Sequence, residues 1–321
     1  MTEPTTPAAA PVSRWQRIWE NLTHNPVAVK ELTARMRGWR APAIISIYLF
    51  LMSLLIGLVY LSFASSAAQM ASSNINQAVG KTVFAVVFAI ELMMVCFLSP
   101  AFTSGAISSE RERQTYDLLR TTLLPARSLV SGKLISALIF IFLILIIGFP
   151  VQSLAFLFGG VTIEEVLISF LILMITALTY SVIGLFISSF MKNTLASTVV
   201  SYVAANLLLF FQPSLITVVI SFFGILTSSS LGPLAPWQQT VLEGILIVTG
   251  YFLIATNPIA AAIASELMFL DQRSLFLYQF PLTSGGTFPI LGPWIFYTIF
   301  FLLLSLLFIW LSILFVKRAE R

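Results

Sequence analysis

Charge is scarce in this chain: only 9% of its 321 residues are Asp, Glu, Lys or Arg, against about a quarter in an ordinary soluble domain. Hydrophobic residues reach 58%, more apolar surface than a water-soluble core can enclose. Cysteine and histidine are nearly missing. The single Cys96 excludes an intrachain disulfide, and the lone His24 leaves nothing from which to build a Cys/His metal cluster. Cys96 stands in an apolar run and reads as a small buried hydrophobe. Enzyme motifs are absent too: there is no H-E-x-x-H and no G-x-S-x-G. Glu164 and Glu165 are adjacent, hence about 100° apart on a helix, which suits a helix start better than an acid/base pair. A phosphate-cradling G-x-x-x-x-G-K-[ST] loop is also missing. Gly80-Lys81-Thr82 has Ile75 where the first glycine belongs, and Gly132-Lys133 is followed by Leu134. No cofactor or metal is expected in this chain, no catalytic residue, and no nucleic-acid partner.

The apolar residues fall in blocks of about 20 or more, the length that crosses ~30 Å of hydrocarbon as a helix, whereas spanning strands would give ~10-residue alternating segments. The expected fold is therefore an all-α integral membrane protein. Six spans are read at about 43–64, 82–104, 134–158, 166–191, 195–227 and 291–316. A seventh stretch, about 240–263, is interrupted by Glu243, Gly250, Asn257 and Pro258.

Lys and Arg set orientation because they stay cytoplasmic. They cluster before the first span, between the second and third, at Lys192, and in the tail Lys317, Arg318 and Arg321. With those segments inside, only Lys81 and Arg273 of 17 basic residues lie outside. Both termini are then cytoplasmic, in the plasma (inner) membrane of a bacterium. A seventh full crossing would throw the basic tail 317–321 to the far side. The 240–263 stretch is therefore read as a re-entrant or interfacial hairpin broken at Asn257-Pro258.

Residues 1–24 form a basic cytoplasmic N-terminus whose first twelve are Pro/Ala/Thr-rich and read as disordered. From Asn25-Pro26 the pattern turns helical, with Val29, Leu32 and Met36 on one face. Lys30, Arg35, Arg37 and Arg40, with Trp39, suit an amphipathic helix over 25–42 lying on an anionic leaflet and leading into the first span. A basic anchor that only sets topology is the alternative.

The cytoplasmic segment 105–133 is longer and more charged than a connection requires. Ser108 or Ser109 is a candidate cap, Glu110 and Glu112 suit the first turn, and Pro125 ends the helix. That helix carries Arg111, Arg113, Asp117 and Arg120 beside Tyr116, Leu118 and Leu119, an apolar face that needs a membrane or a protein to cover it. The run Glu110-Arg-Glu-Arg-Gln-Thr-Tyr-Asp-Leu-Leu119, with Gly132-Lys133 at the mouth of the next span, resembles the E-R-E-x-G-T-L-E-L-L-L…G-K pattern of type-2 ABC-exporter permeases. Glu110, Arg111, Glu112, Thr115, Asp117, Leu118, Leu119, Gly132 and Lys133 fall on family positions, while Gln114 stands for the usual Gly and Tyr116 for the usual Leu. The stretch Asn25-Pro26…Arg35 is similar to the family's elbow helix. The resemblance implies a coupling helix, Glu110 to Leu119, docking on a separate nucleotide-binding ATPase. ATP and Mg are held by that partner. A second permease subunit, identical or paralogous, completes the membrane path.

Glu91, near the middle of the second span, is the one clear carboxylate at membrane depth. It carries the competing reading of an ion-coupled transporter or channel, or else an interhelical hydrogen bond. Ser201, Tyr202 and Asn206 on the fifth span are candidate partners. Gly148 and the pair Gly184/Ser188 permit close helix contacts.

Overall fold

A computed structural model of the chain describes residues 26–67, 75–114, 126–227, 236–272, 274–281 and 287–318. The segment 1–24 and the last three residues lie outside them. A short helix α1 (Pro26–Met36) leads through a turn at Gly38 into α2 (Arg40–Ala67). Next come α3 (Ile75–Thr103), a single turn α4 (Ser108–Glu112), α5 (Ala126–Phe158) and α6 (Ile163–Phe190). The fifth span is α7 (Thr194–Asn206), a π-helical turn over Leu207–Phe211, and α8 (Gln212–Thr227). A pair α9 (Pro236–Ala255) and α10 (Pro258–Gln272) precedes strands β1 (Leu277–Pro281) and β2 (Thr287–Leu291), and α11 (Pro293–Arg318) closes the described chain. Among the described residues six helices are long and apolar enough to span, matching the six blocks of the sequence, with apolar stretches of 23 to 36 residues.

The fourth span, α6, is the hub. It packs against α3, α5, α7, α10 and α11 and buries most of its side chains. Its polar residues serve as glue where hydrophobic driving force is lost in lipid. Thr176 Oγ1 lies 2.7 Å from the Tyr297 hydroxyl, and Thr179 Oγ1 3.2 Å from Ser305 Oγ. Gly184 lets the end of α3 approach: a Cβ there would meet Thr103 Oγ1 and, at 3.3 Å, the Ser104 amide. Cys96 is buried among Leu92, Leu173 and Tyr180, as its apolar surroundings imply.

The pair α9/α10 is bent by 115°. The fifth span runs away from the end of the bundle holding α4, and the last span returns to it, since Val316 packs with Ile107, Leu129 and Val130. The bent pair therefore enters and leaves at the opposite end. There Lys81 at the start of α3 and Glu266 on α10 form an ion pair at 2.8 Å. The break falls at Asn257-Pro258. Asn257 accepts from the amides of Ile259 and Ala260, each at 3.0 Å, and so caps α10. Its Nδ2 donates to Leu208 O at 3.1 Å and Leu209 O at 3.0 Å. Those carbonyls are the ones stranded by Pro213, which brings no N–H and crowds the carbonyl four residues back. One amide therefore closes both broken helices, the two halves of the hairpin and the π turn of the fifth span.

Two short strands stand beside the helices of this all-α membrane fold. They pair antiparallel with Leu277 opposite Leu291 and Pro281 opposite Thr287. Their Phe, Tyr, Thr and Ile content favours strand, yet five-residue strands are hidden in a chain this apolar. Pro289 is tolerated because a two-stranded ribbon has only edges.

Candidate functional site

The turn α4 is held by side chains and backbone of α5, α6 and α7. Its first amides, Ile107 N and Ser108 N, donate to Ser188 Oγ of α6 at 2.9 and 3.0 Å. A side chain from another span thus supplies the cap. Ser108 and Ser109, the caps read from sequence, instead turn their hydroxyls back to Ser104 O and Gly105 O. Ser197 Oγ donates to Ser104 O at 2.5 Å, and Ser104 Oγ lies 3.1 Å from Thr198 Oγ1. Glu112 Oε2 accepts the Thr194 amide at 2.9 Å, so this carboxylate caps the fifth span. The Thr194 hydroxyl and amide hold the exposed Glu112 carboxyl below its ordinary range.

Lys133, at the mouth of the third span, is buried, with its side chain only 4% accessible. Its Nζ reaches Glu110 Oε1 of α4 at 2.6 Å and Glu31 Oε1 of α1 at 3.3 Å. One ammonium therefore ties α1, α4 and α5 together. Neither Lys133's partners nor the place of Ser188 is visible in sequence, because both are set by which spans touch.

The sequence predicts one helix running from Ser108 to Pro125, and the structure corrects this. α4 stops at Glu112, and Gln114 takes φ 57°, the left-handed region that favours glycine. A glycine, which the resembled pattern carries here, would adopt this backbone without strain. Thr115, Tyr116, Asp117, Leu118 and Leu119 lie outside the described residues. Arg113 is exposed and Arg111 half-buried.

Helix α1 turns Val29 and Met36 outward, 56% and 48% exposed, beside exposed Lys30 and Arg37. Trp39 is 77% exposed. Arg35 departs from that outer face. Its Nη2 donates to Phe102 O at 2.9 Å, a carbonyl in the last turn of α3 that lacks a helical partner. The guanidinium lies 4.8 Å from the Phe102 ring centroid. Burial lowers the Arg35 pKa, opposed by the charge of Glu31. Arg40 opens α2.

At membrane depth Glu91 is buried, 1% exposed. Its partners are not Ser201, Tyr202 or Asn206. Tyr48 Oη of the first span donates to Glu91 Oε1 at 3.3 Å, and Gln152 Nε2 of the third donates to Oε2 at 2.5 Å. Ser201 and Asn206 bond back to carbonyls one turn earlier in their own helix, at 2.7 and 2.8 Å. Tyr202 does reach the second span, but at Phe97 O. Gly148 lies against the cluster: a Cβ there would strike Glu91 Oε1 and Tyr48 Oη. Gly148→Ala is expected to destabilise the fold by about 2 kcal/mol through overpacking. Thermal unfolding followed by labelling of Cys96 checks this, and a wild-type midpoint would remove the packing argument. Gln152, a lone amide in an apolar run, is the sequence signal that would have pointed to Glu91.

A family model described as ABC-2 type transporter matches residues 27–220. The chain belongs to the ABC-2 type transporter family. The match covers well over half of the chain, from α1 to the end of the fifth span. It includes the whole of the α1–α4–Lys133 assembly. No curated protein sequence matches the chain. Family membership and the six spanning helices make it a multi-pass membrane subunit of an ABC-type transporter. Of the residues that fall on the resembled pattern, the described Glu110, Arg111, Glu112, Gly132 and Lys133 lie at the end of the bundle that holds α4. Among the described residues no three His, Cys, Asp or Glu side chains group as metal ligands.

Proposed function

We propose that the chain is the permease subunit of an exporter in which segment 105–133 is the coupling element for a separate nucleotide-binding ATPase. The observation that carries this reading is the Glu31–Lys133–Glu110 assembly, continued by the Ser188 cap and the Glu112–Thr194 contact. A small turn bonded to the spans α5, α6 and α7, and through Lys133 to α1, cannot move without moving them. A displacement imposed on it by an ATPase therefore reaches most of the bundle. ATP and Mg belong to that partner; in this subunit the residues of the segment transmit motion and do no chemistry. Two permease subunits form the path, and the end carrying α1, α4 and Lys317–Arg318 faces the cytoplasm of a bacterium, by the rule that basic segments stay inside. Outward transport rests on the resemblance to type-2 exporters. Glu91 supports a structural role better than an ion site, since both its oxygens are engaged by Tyr48 and Gln152.

The test is to co-express the chain with a nucleotide-binding subunit and measure co-elution and ATP turnover, for wild type, Tyr116→Ala and Glu110→Ala. The permease alone is expected to hydrolyse no ATP. Association or stimulated turnover is expected to fall on the order of tenfold in the variants, the usual weight of an interface anchor. Co-elution and turnover equal to wild type in both variants would sink the coupling role.

A further inference from the structure

Where α1 turns into the first span, a cavity of about 440 Å³ opens between the elbow of the chain, the end of α3 and the side of α5. Its wall is split by chemistry. Arg35, Arg37 and Trp39 line one side, and Ile44, Phe102 and Phe140 the other. Phe102 and Phe140 meet edge to face with centroids 5.0 Å apart, so the apolar wall is rigid. Arg35 spends one arm of its guanidinium on Phe102 O; Nη1 is buried and finds no hydrogen-bond partner among the described residues. That nitrogen is closed off from the cavity, so the charge offered to an anion there is that of the guanidinium as a whole together with Arg37. Gly38, at φ 99°, makes the turn that places Arg37 and Trp39 beside Arg35.

We propose that this cavity is a specific site for one anionic phospholipid. Its phosphate sits between Arg35 and Arg37, and the upper part of an acyl chain lies along Ile44, Phe102 and Phe140. Arginine suits phosphate because its fork of N–H groups matches two oxygens. The mouth lies where an amphipathic helix meets a span, the depth at which headgroups and Trp side chains reside. The lipid would brace α1 against the end of the second span, beside the Glu31–Lys133–Glu110 assembly. The site rests on α1 lying at the membrane surface, but its test needs no ATPase, so its failure leaves the coupling role untouched.

The experiment is native mass spectrometry of the full chain released from detergent. It is titrated with dioleoyl phosphatidylglycerol, dioleoyl phosphatidylcholine or inorganic phosphate. One phosphatidylglycerol is expected to be retained about tenfold more tightly than phosphatidylcholine. Arg37→Gln is expected to reduce that retention about fivefold. Ala34→Trp, which fills the cavity without changing charge, is expected to abolish it. Both positions are exposed, so unfolding midpoints should match wild type. Arg35 is left intact because it also holds Phe102 O. Equal retention of the two lipids, or a preference indifferent to both variants, would overturn the proposal. Phosphate bound alone with the same dependence on Arg37, and no lipid adduct, would make this a free-anion site and overturn it equally.

Discussion

Replacing Asn257 with leucine is expected to cost about 4 kcal/mol and to lower the unfolding midpoint on the order of 10 °C. The loss follows from what the one amide holds. Leucine removes the acceptor for Ile259 N and Ala260 N and the donor for Leu208 O and Leu209 O. The residue is fully buried, so water cannot replace it. Losing a cap costs about 1 kcal/mol, and each buried backbone group left open about 1–3 kcal/mol. Bonds between helices in membranes sit at the weak end of their range, which keeps the sum from rising further. Asn257→Ser separates the two halves. The hydroxyl still caps α10 but does not reproduce the amide's two donors, so about half the loss is expected. Labelling of Cys96 on heating reads both variants, since the thiol is buried in the folded chain. A leucine variant that unfolds with wild type would mean that Pro213 and the hairpin are reconciled by some other contact.

The same residue shows why part of this architecture was legible in sequence. Spans announce themselves by length, because a helix must cover the whole hydrocarbon thickness. A hairpin break announces itself through Asn-Pro, because proline ends a helix and asparagine starts one. Lys81, one of the two basic residues that the charge map leaves outside, pairs with Glu266 of α10, a partner the sequence does not single out. What stayed illegible depends on which spans are neighbours. Glu91 was matched to polar residues of the fifth span, the more conspicuous candidates, yet Tyr48 and Gln152 hold it. Asn206 satisfies itself on its own helix. Gln114 carried a clue that composition alone does not decode. Its substitution for a family glycine marks a left-handed turn, so the helix read through it ends before it. The β-ribbon was hidden for a different reason: strands of five residues carry too little periodicity to stand out in an apolar chain.

Lys133→Met is expected to weaken both folding and coupling, and a rescue experiment separates the two. The substitution leaves Glu31 and Glu110 carboxylates facing each other across the space the ammonium filled. Removing one partner of a fully buried pair costs about 3–5 kcal/mol. Glu31 and Glu110 are 32% and 20% accessible, so solvent screening brings the expected loss down to about 2–3 kcal/mol. Adding Glu31→Gln and Glu110→Gln removes the repulsion, and stability is expected to return to within about 1 kcal/mol of wild type, because apolar and neutral groups of similar size often replace buried ions without loss. Coupling is a different quantity. The link from α1 to α4 runs through the ammonium, and methionine with two amides does not rebuild it. The triple variant should therefore unfold like wild type yet bring ATP turnover of the associated subunit down toward its unstimulated level. Full recovery of turnover together with stability would show that Lys133 acts only as a counter-ion, and that motion passes through Ser188 and Glu112 instead.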